Sequence, residues 1–192
     1  NVLTGGAHFP TLAVLAVALE RNGLVQEEID VLFQVLRHLG TGDAAPYRTR
    51  LVKLLQERPA AAEGAAIDVG LEAFRPVGGV RAEVSRDRLG ILNNGMVAAA
   101  VAIPADGQYE ILVVASGGQV KGRFPKFRVR VDDWGVGTID LAAAGPAEYR
   151  LAAPIPSGAR TLAVEFLNDE NDPAAKADRN LFLHAVKLRR LR

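Results

Sequence analysis

Oxygen-bearing side chains are concentrated in one short stretch near the C-terminal end of the chain. In order they are Asn168, Asp169, Glu170, Asn171, Asp172, Asp178 and Asn180. Clustered carboxylates repel one another unless a cation lies among them. Carboxylate and amide oxygens are the ligands that Ca²⁺ prefers, whereas zinc and copper sites usually contain His or Cys. The stretch therefore predicts a calcium site.

The spacing in this stretch differs from that of an EF-hand loop. Counted from Asp169, Pro173 stands at a ligand position and Ala174 at the position that requires glycine. Residues 168–180 also form a longer connection than the roughly two to five residues of a simple hairpin. A long polar connection of this kind favours a function over a purely structural role.

A second interpretation of the same residues needs no metal. The Asp and Asn side chains of a solvated acidic loop commonly form turns and caps. Arg179 could then neutralise Asp178 or Asp172 without any cation. Composition alone leaves both interpretations open.

The segment that precedes residue 60 predicts three helices. The first has Pro10 in its opening turn and ends at Asn22-Gly23, where glycine can terminate a helix. The second carries an apolar face at helical spacing: Ile29, Leu32, Phe33 and Leu36. The third starts from a cap at Asp43 and ends before Pro59. We expect residues 1–59 to form a small helical segment and residues 60–66, which are rich in alanine, to form a linker.

From Ile67 onward, short β-rich runs alternate with turn residues such as Asn94-Gly95 and Ser157-Gly158. The predicted strands are Val80–Val84, Met96–Ile103, Tyr109–Ala115, Phe127–Val131, Val136–Leu141, Glu148–Leu151, Arg160–Phe166 and Leu181–Leu188. Strands at this spacing without long helices between them predict an antiparallel β-sandwich over residues 67–192. The fold class is thus mainly β, preceded by a small helical segment.

Composition excludes several classes of protein. Of the 192 residues, 49% are hydrophobic and none is cysteine, so the chain can bury a core but cannot form disulfides or thiolate sites. The net charge of +1 disfavours nucleic acid and anionic lipid as partners. The most apolar run, Leu12 to Leu19, is too short to span a membrane.

Four segments of the C-terminal part carry the features of a known family. They read RAEVS, NNGMVAAAVAIPADGQYEILVVASG, FRVRVDDWGVGTIDL and SGARTLAVEFLNDENDPAAKADRNLFLHAVKL. The most specific part is Phe166-Leu167-Asn168-Asp169 followed closely by Asp178-Arg179-Asn180-Leu181. On these segments the chain, from about Val80 to its end, resembles the calcium-dependent, xylan-binding carbohydrate-binding modules of families 36 and 60. The resemblance implies a jelly-roll-like sandwich that holds sugar through the open coordination positions of a bound Ca²⁺.

The resemblance also implies roles for individual residues. The implied metal ligands are Asp169, Asp172 and Asp178, with Asn168 and Asn171 as carbonyl donors or as residues that shape the backbone. The residues expected to contact the ligand are Trp134, Asp133, Arg179 and Asn180. An indole at a hairpin tip can stack on a sugar ring, although an ordinary turn at residues 132–135 is the alternative. Related sandwiches imply a second, structural calcium near Glu83, but Arg81 stands where a second acid would help, so an ordinary exposed glutamate is the alternative.

We therefore expect a non-catalytic, calcium-dependent module that binds a xylan-like polysaccharide within a larger secreted or surface protein. The expected location is extracellular, periplasmic or at the cell surface. The alternative is a structural or adhesive sandwich in which calcium only rigidifies the 168–180 loop. An enzyme that uses Asp132, Asp133 or Asp169 as acid and base is the least favoured reading, because paired-carboxylate hydrolysis needs two opposed carboxyls in a cleft. The scattered His8, His38 and His184 accompany no known catalytic motif.

Overall fold

The N-terminal part of the chain is helical, as predicted. The computed structural model describes residues 9–39, 44–57 and 64–191. Within these ranges the helices are α1 (Phe9–Arg21), α2 (Val25–His38) and α3 (Ala45–Gln56). The predicted cap Asp43 lies outside the described residues, and α3 begins after Ala44, whose side chain makes no capping hydrogen bond. No helix in the described ranges has the length and apolar character needed to cross a bilayer.

The C-terminal part forms an antiparallel β-sandwich, which confirms the predicted fold class. In chain order the strands are β1 (Ile67–Asp68), β2 (Arg75–Val77), β3 (Ala82–Val84), β4 (Leu89–Ile91), β5 (Gly95–Ile103), β6 (Gly107–Gly117), β7 (Lys126–Val131), β8 (Trp134–Asp140), β9 (Ala147–Ile155), β10 (Gly158–Phe166), β11 (Glu170–Asp172), β12 (Ala177–Arg179) and β13 (Leu181–Arg190). One sheet has the order β3-β4-β13-β6-β9, with β1 also paired to β13, and the facing sheet has the order β2-β5-β10-β7-β8.

The core of the sandwich follows from alternation along the strands. In β7, Phe127, Val129 and Val131 are buried, while the intervening Lys126, Arg128 and Arg130 are partly exposed. Successive side chains of a strand point to opposite faces, so this pattern turns one face of the sheet inward. The same rule buries the apolar residues of β5, β6, β10 and β13 between the two sheets.

The helices have a core of their own. Its members include Leu12, Ile29, Leu32, Leu51 and Leu54, and it is distinct from the core of the sandwich. An ion pair between Arg50 and the buried Glu28, 2.7 Å from Nε to Oε1, joins α3 to α2. Of the predicted linker, residues 60–66, only residues 64–66 fall within the described ranges.

The two ends of the sandwich carry different loops. Residues 92–94, 118–125, 141–146 and 167–180 lie at one end, which we call the hairpin end. Residues 104–106, 132–133 and 156–157 lie at the opposite end, which we call the helix end. Strands such as β5, with nine residues, separate the two ends by about 25 Å at roughly 3.3 Å per residue.

The helical segment contacts the helix end. Arg37 of α2 pairs with the carboxylate of Asp106, and the same guanidinium lies 3.5 Å from the hydroxyl of Ser157. Arg48 of α3 stacks over the ring of Trp134, 5.1 Å from its centroid. The helices are therefore placed far from the loops of the hairpin end.

The structure corrects the expectation that residues 168–180 form an irregular loop. They contain the short hairpin of β11 and β12, whose register places Glu170 opposite Arg179 and Asp172 opposite Ala177. Three-residue polar strands have too few apolar positions to show an alternating pattern, so the sequence did not predict them. The short strands β1, β2 and β4 were missed for the same reason of length.

Candidate functional site

The β11–β12 hairpin crosses from one sheet to the other at the hairpin end. It follows β10 of one sheet and precedes β13 of the facing sheet. In an antiparallel pair, residues directly opposite each other project to the same side. Glu170 and Arg179 therefore share one face of the hairpin, and Asn171 and Asp178 share the other. We call these the arginine face and the oxygen face.

The oxygen face brings together three side chains that the sequence singled out. The amide nitrogen of Asn180 donates a hydrogen bond of 3.0 Å to Oδ2 of Asp178. Asp169 lies close enough to Asp178 for their charges to interact. Among the described residues, Oδ1 of Asp169 and Oδ1 of Asn180 are buried yet accept no hydrogen bond. Buried acceptors without a protein partner are rare, and a cation or a further donor can satisfy them.

The electrostatics of Asp169 are those of a partly buried carboxylate beside a second carboxylate. Burial raises the pKa of Asp169 above its ordinary value, and the neighbouring carboxylate of Asp178 raises it further. The charges of Arg81 and Arg179 and a hydrogen bond from the backbone of Glu170 oppose this rise in pKa without cancelling it. A divalent cation at this point would favour the ionised form of Asp169.

The arginine face is built around a buried guanidinium. Arg179 is 2% exposed. Its Nε donates to the carbonyl oxygen of Arg123 at 3.0 Å, and its two terminal nitrogens donate to the carbonyls of Asn168 and Val120 at 2.5 and 2.6 Å. It also pairs with Oε2 of Glu170 at 2.9 Å. The guanidinium thus interacts with Glu170, rather than with Asp178 or Asp172 as the metal-free interpretation supposed.

Two asparagines hold the hairpin against neighbouring loops. Oδ1 of Asn168 accepts a hydrogen bond of 2.6 Å from the backbone of Lys126, and its amide nitrogen donates to the carbonyl of Phe124 at 2.9 Å. Asn94, predicted from the sequence only as a turn residue, accepts a hydrogen bond of 2.7 Å from the backbone N–H of Asp169. The side chain of Asn168 therefore fixes the loop that leads into Asp169.

The other residues expected to bind metal are placed differently. Asn171 lies opposite Asp178 on the oxygen face and is exposed. Asp172 lies opposite Ala177, on the side of Glu170, and its Oδ1 accepts a hydrogen bond of 3.1 Å from the backbone of Ala175. Asn171 is thus in position to approach a cation beside Asp178, whereas Asp172 closes the turn of the hairpin.

Trp134 and Asp133 lie at the helix end and are not brought to the oxygen face. The turn between β7 and β8 is formed by Asp132 and Asp133, with Asp132 at φ 52°. Trp134 begins β8, packs partly against the core and carries the guanidinium of Arg48 over its ring. The six residues of β7 separate this turn from Asn168 by roughly 17 Å. The structure therefore divides the expected ligand contacts between two distant places.

Glu83 is exposed on β3, at the edge of its sheet. Within the described ranges, no group of three His, Cys, Asp or Glu side chains is arranged to hold a metal ion, at Glu83 or elsewhere. The oxygen face has two carboxylates, Asp169 and Asp178, and completes its donor set with the amide oxygen of Asn180. Its unpartnered oxygens fit a hard cation such as Ca²⁺, which accepts carboxylate and amide oxygens alike.

The same part of the chain matches a family of sugar-binding domains. Residues 110–190 match the family model of carbohydrate-binding module family 60, described as Ca-dependent and xylan-binding. In this region the sandwich is similar to a carbohydrate-binding module. The match extends from β6 to β13 of the module and includes every residue of the oxygen face, and it confirms the resemblance seen in the sequence.

Solved structures show the same fold for the module. One is the CBM36-1 domain of a multidomain xylanase from the hindgut metagenome of Trinervitermes trinervoides, with 15% identity and a TM-score of 0.53, covering 65% of this chain and 96% of that chain. Another is the C-terminal family 6 module of a marine laminarinase from Zobellia galactanivorans, with 10% identity and a TM-score of 0.51, covering 66% and 100%. A third is a family 36 module in complex with calcium and xylotriose, with 14% identity and a TM-score of 0.50, covering 65% and 98%. Among curated proteins, none matches the chain significantly.

Proposed function

We propose that the module binds a xylan-like polysaccharide through a Ca²⁺ ion held at the oxygen face. The observation that carries this proposal is the pair of buried, unpartnered oxygens of Asp169 and Asn180, two residues that both interact with the Asp178 carboxylate. Support also comes from the matched family, which is described as Ca-dependent and xylan-binding.

We assign Asp169, Asp178 and Asn180 as the side chains that hold the ion, with Asn171 as an exposed neighbour on the same face. Ca²⁺ takes about six to eight oxygen ligands, so these side chains leave part of its shell to other oxygens. When bound, the ion would offer those positions to two adjacent hydroxyls of a sugar ring. The residues of the oxygen face fix where the ion lies, and hence which pairs of hydroxyls can reach it.

The distribution of aromatic residues agrees with recognition through a metal. Aromatic residues make up 6% of the chain, and its single tryptophan lies at the helix end under Arg48. A stacking platform formed by Trp134 is therefore distant from the oxygen face. We infer that selectivity comes from the geometry of the hydroxyl pair.

We further propose that the chain is a binding part of a larger secreted or surface protein, and that any catalysis belongs to other domains. A solved structure of the same fold is described as one domain of a multidomain xylanase. The low net charge of this chain is compatible with a neutral polysaccharide partner.

Calorimetric titration of xylotriose and soluble xylan tests the proposal. In millimolar CaCl₂ we expect binding of both, and in EDTA we expect none. Calcium-dependent melting without sugar binding under the same conditions would instead identify a structural or adhesive sandwich. Hydrolysis of xylan that persists after complete removal of calcium would contradict a binding role.

Asp178→Ala tests the ligand assignment. Because Asp178 is exposed on the hairpin and outside both cores, the variant should fold normally. We expect calcium binding to weaken by more than about tenfold, since even partners of metal ligands contribute about that much, and sugar binding to weaken with it. Asp133→Ala, an exposed carboxylate removed at the helix end, is the matched control and should bind like the wild type. Equal binding by both variants would refute the assignment.

A further inference from the structure

Each oxygen donor of the proposed site is next in sequence to a residue that is anchored to another loop. Asp178 and Asn180 flank Arg179, and Asp169 follows Asn168. The side chain of Asn168 is fixed to the segment 124–126 by two hydrogen bonds, and its carbonyl oxygen is held by Arg179. The guanidinium of Arg179 therefore links the two segments that carry the donors, because Arg179 belongs to one segment and contacts Asn168 of the other.

The environment of this guanidinium resembles that of a structural cation. Arg179 is buried and is surrounded by carbonyl oxygens of Val120, Arg123 and Asn168. The carboxylate of Glu170 is the remaining acceptor around the guanidinium, and it also forms an ion pair of 2.6 Å with the ammonium group of Lys121. Burying a charge is costly unless it is paired and hydrogen-bonded, and here both conditions are met.

The segment that supplies two of these carbonyls has no regular sheet to stabilise it. Val120 and Arg123 form an isolated bridge around a turn in which Lys121 has φ 50° and Gly122 has φ 75°. The guanidinium thus ties this turn to the β11–β12 hairpin. Its planar fork suits this task, because Arg presents several donors in a fixed geometry.

We propose that Arg179 is a positioning residue that sets the spacing of the oxygen donors on the opposite face of the hairpin. The inference rests on the proposed calcium site. With Arg179 anchored on the arginine face, the flanking Asp178 and Asn180 must both project to the oxygen face. The guanidinium of Arg179 also holds the carbonyl of Asn168, and this fixes the peptide group that precedes Asp169. Arg179 therefore affects sugar binding through the metal site, without contacting the sugar.

A pair of variants separates geometry from charge. Arg179→Lys keeps the positive charge but cannot reach several carbonyls at once, so we expect calcium affinity to fall by about tenfold or more. Lys121→Asn removes a positive charge from the same turn, tolerates its left-handed backbone and leaves the guanidinium contacts intact. We expect its calcium affinity to stay within about twofold of the wild type. The probes are CaCl₂ alone, measured by calorimetry, and the thermal midpoint of each metal-free variant.

Selectivity between ions provides a readout that a loss of stability alone would not change. A looser site should accept the larger Sr²⁺ relatively better, so we expect the ratio of Ca²⁺ to Sr²⁺ affinity to fall in Arg179→Lys. Val113→Ala, which leaves a cavity in the sandwich core, is the control for destabilisation and should keep the wild-type ratio.

The outcomes are distinct. Folded Arg179→Lys with wild-type affinity and ion ratio would overturn the inference, as would equal weakening by Lys121→Asn. If Arg179→Lys does not fold, Glu170→Ala decides, because it removes one acceptor from the more exposed side of the guanidinium. We expect a loss of about threefold in calcium affinity, and an unchanged affinity would overturn the inference. Failure of the wild type to bind calcium would instead refute the proposed function.

Discussion

At the scale of single residues, the most informative atoms are acceptors that have no donor. Most buried polar atoms in proteins are hydrogen-bonded, so Oδ1 of Asp169 and Oδ1 of Asn180 require an explanation. The oxygen face also carries unfavourable charge repulsion, because Asp178 brings a second negative charge close to Asp169. A cation satisfies both requirements at once, whereas a water molecule satisfies only the first.

Asp169→Asn removes the negative charge of this side chain but keeps its size and shape, and so tests how the charge affects stability. The folded state raises the pKa of Asp169, so in the metal-free protein its ionised form is destabilising at pH values above that pKa. Stability should accordingly increase as the pH falls through the raised pKa, and the variant should remove this dependence. At pH 7 we expect the metal-free variant to have a higher thermal midpoint than the wild type.

The same variant should respond less to calcium. A ligand that binds only the folded state raises the thermal midpoint by an amount that grows with the logarithm of its affinity. We expect millimolar CaCl₂ to raise the midpoint of the wild type but not that of Asp169→Asn, as measured by calorimetric melting. Asp133→Asn serves as the control and should respond to calcium as the wild type does. A metal-free midpoint lower than that of the wild type would contradict the electrostatic argument.

At the scale of elements, the site depends on how closely the strand β6 approaches the start of β13. A Cβ atom at Gly117 would lie 2.4 Å from the carbonyl oxygen of Asn180 and 2.4 Å from Cγ of Pro125. Neither contact can be relieved by rotating a flexible side chain, since one partner is backbone and the other is a ring. The absence of a side chain at residue 117 therefore permits the approach that places Asn180.

Gly117→Ala should consequently disturb both stability and metal binding. Overpacking of a close contact costs about 1–3 kcal/mol, and here the shift falls on the residue that supplies an oxygen donor. We expect a lower thermal midpoint and weaker calcium binding in the same titration. Gly145→Ala is the matched control, because a Cβ atom there meets nothing within 4 Å. Unchanged calcium affinity in Gly117→Ala would show that the position of Asn180 does not matter for the ion.

At the scale of the whole molecule, the helical segment and the proposed site lie at opposite ends of the sandwich. Arg37, Arg48, Asp106 and Trp134 form the contact at the helix end. Burial works against ionisation of Asp106, but hydrogen bonds from Arg37 and Ser157 outweigh it and leave the pKa of Asp106 below its ordinary value. This contact is therefore strongest above the ordinary pKa of an aspartate and weakens on acidification.

Trp134 offers a direct measure of this contact, since it is the single tryptophan of the chain. Arg48→Ala should uncover the indole ring and shift its fluorescence emission to longer wavelength. We expect sugar binding in millimolar CaCl₂ to be unaffected, because the oxygen face lies at the other end of the sandwich. A loss of sugar binding in this variant would show that Trp134 contributes to recognition. Arg21→Ala, an exposed arginine on α1, is the control and should leave the emission unchanged.

The sequence by itself determined the class of the fold and predicted the chemistry of the proposed site. Periodicity in the helices and alternation in the long strands depend only on local geometry, so three helices and eight strands were predicted near their observed positions. The clustering of Asp and Asn before Leu181 likewise depends on composition alone, and it was enough to suggest calcium.

The tertiary structure decided which of these residues act together. Whether Arg179 faces Asp178 or lies behind it depends on the register of a short hairpin, which no local pattern encodes. The separation of Trp134 from the oxygen face depends on which end of β7 each loop occupies, and so on the pairing of strands distant in sequence. Local preferences act over a few residues, whereas strand pairing and packing are set by contacts across the whole chain, and the site is a product of those contacts.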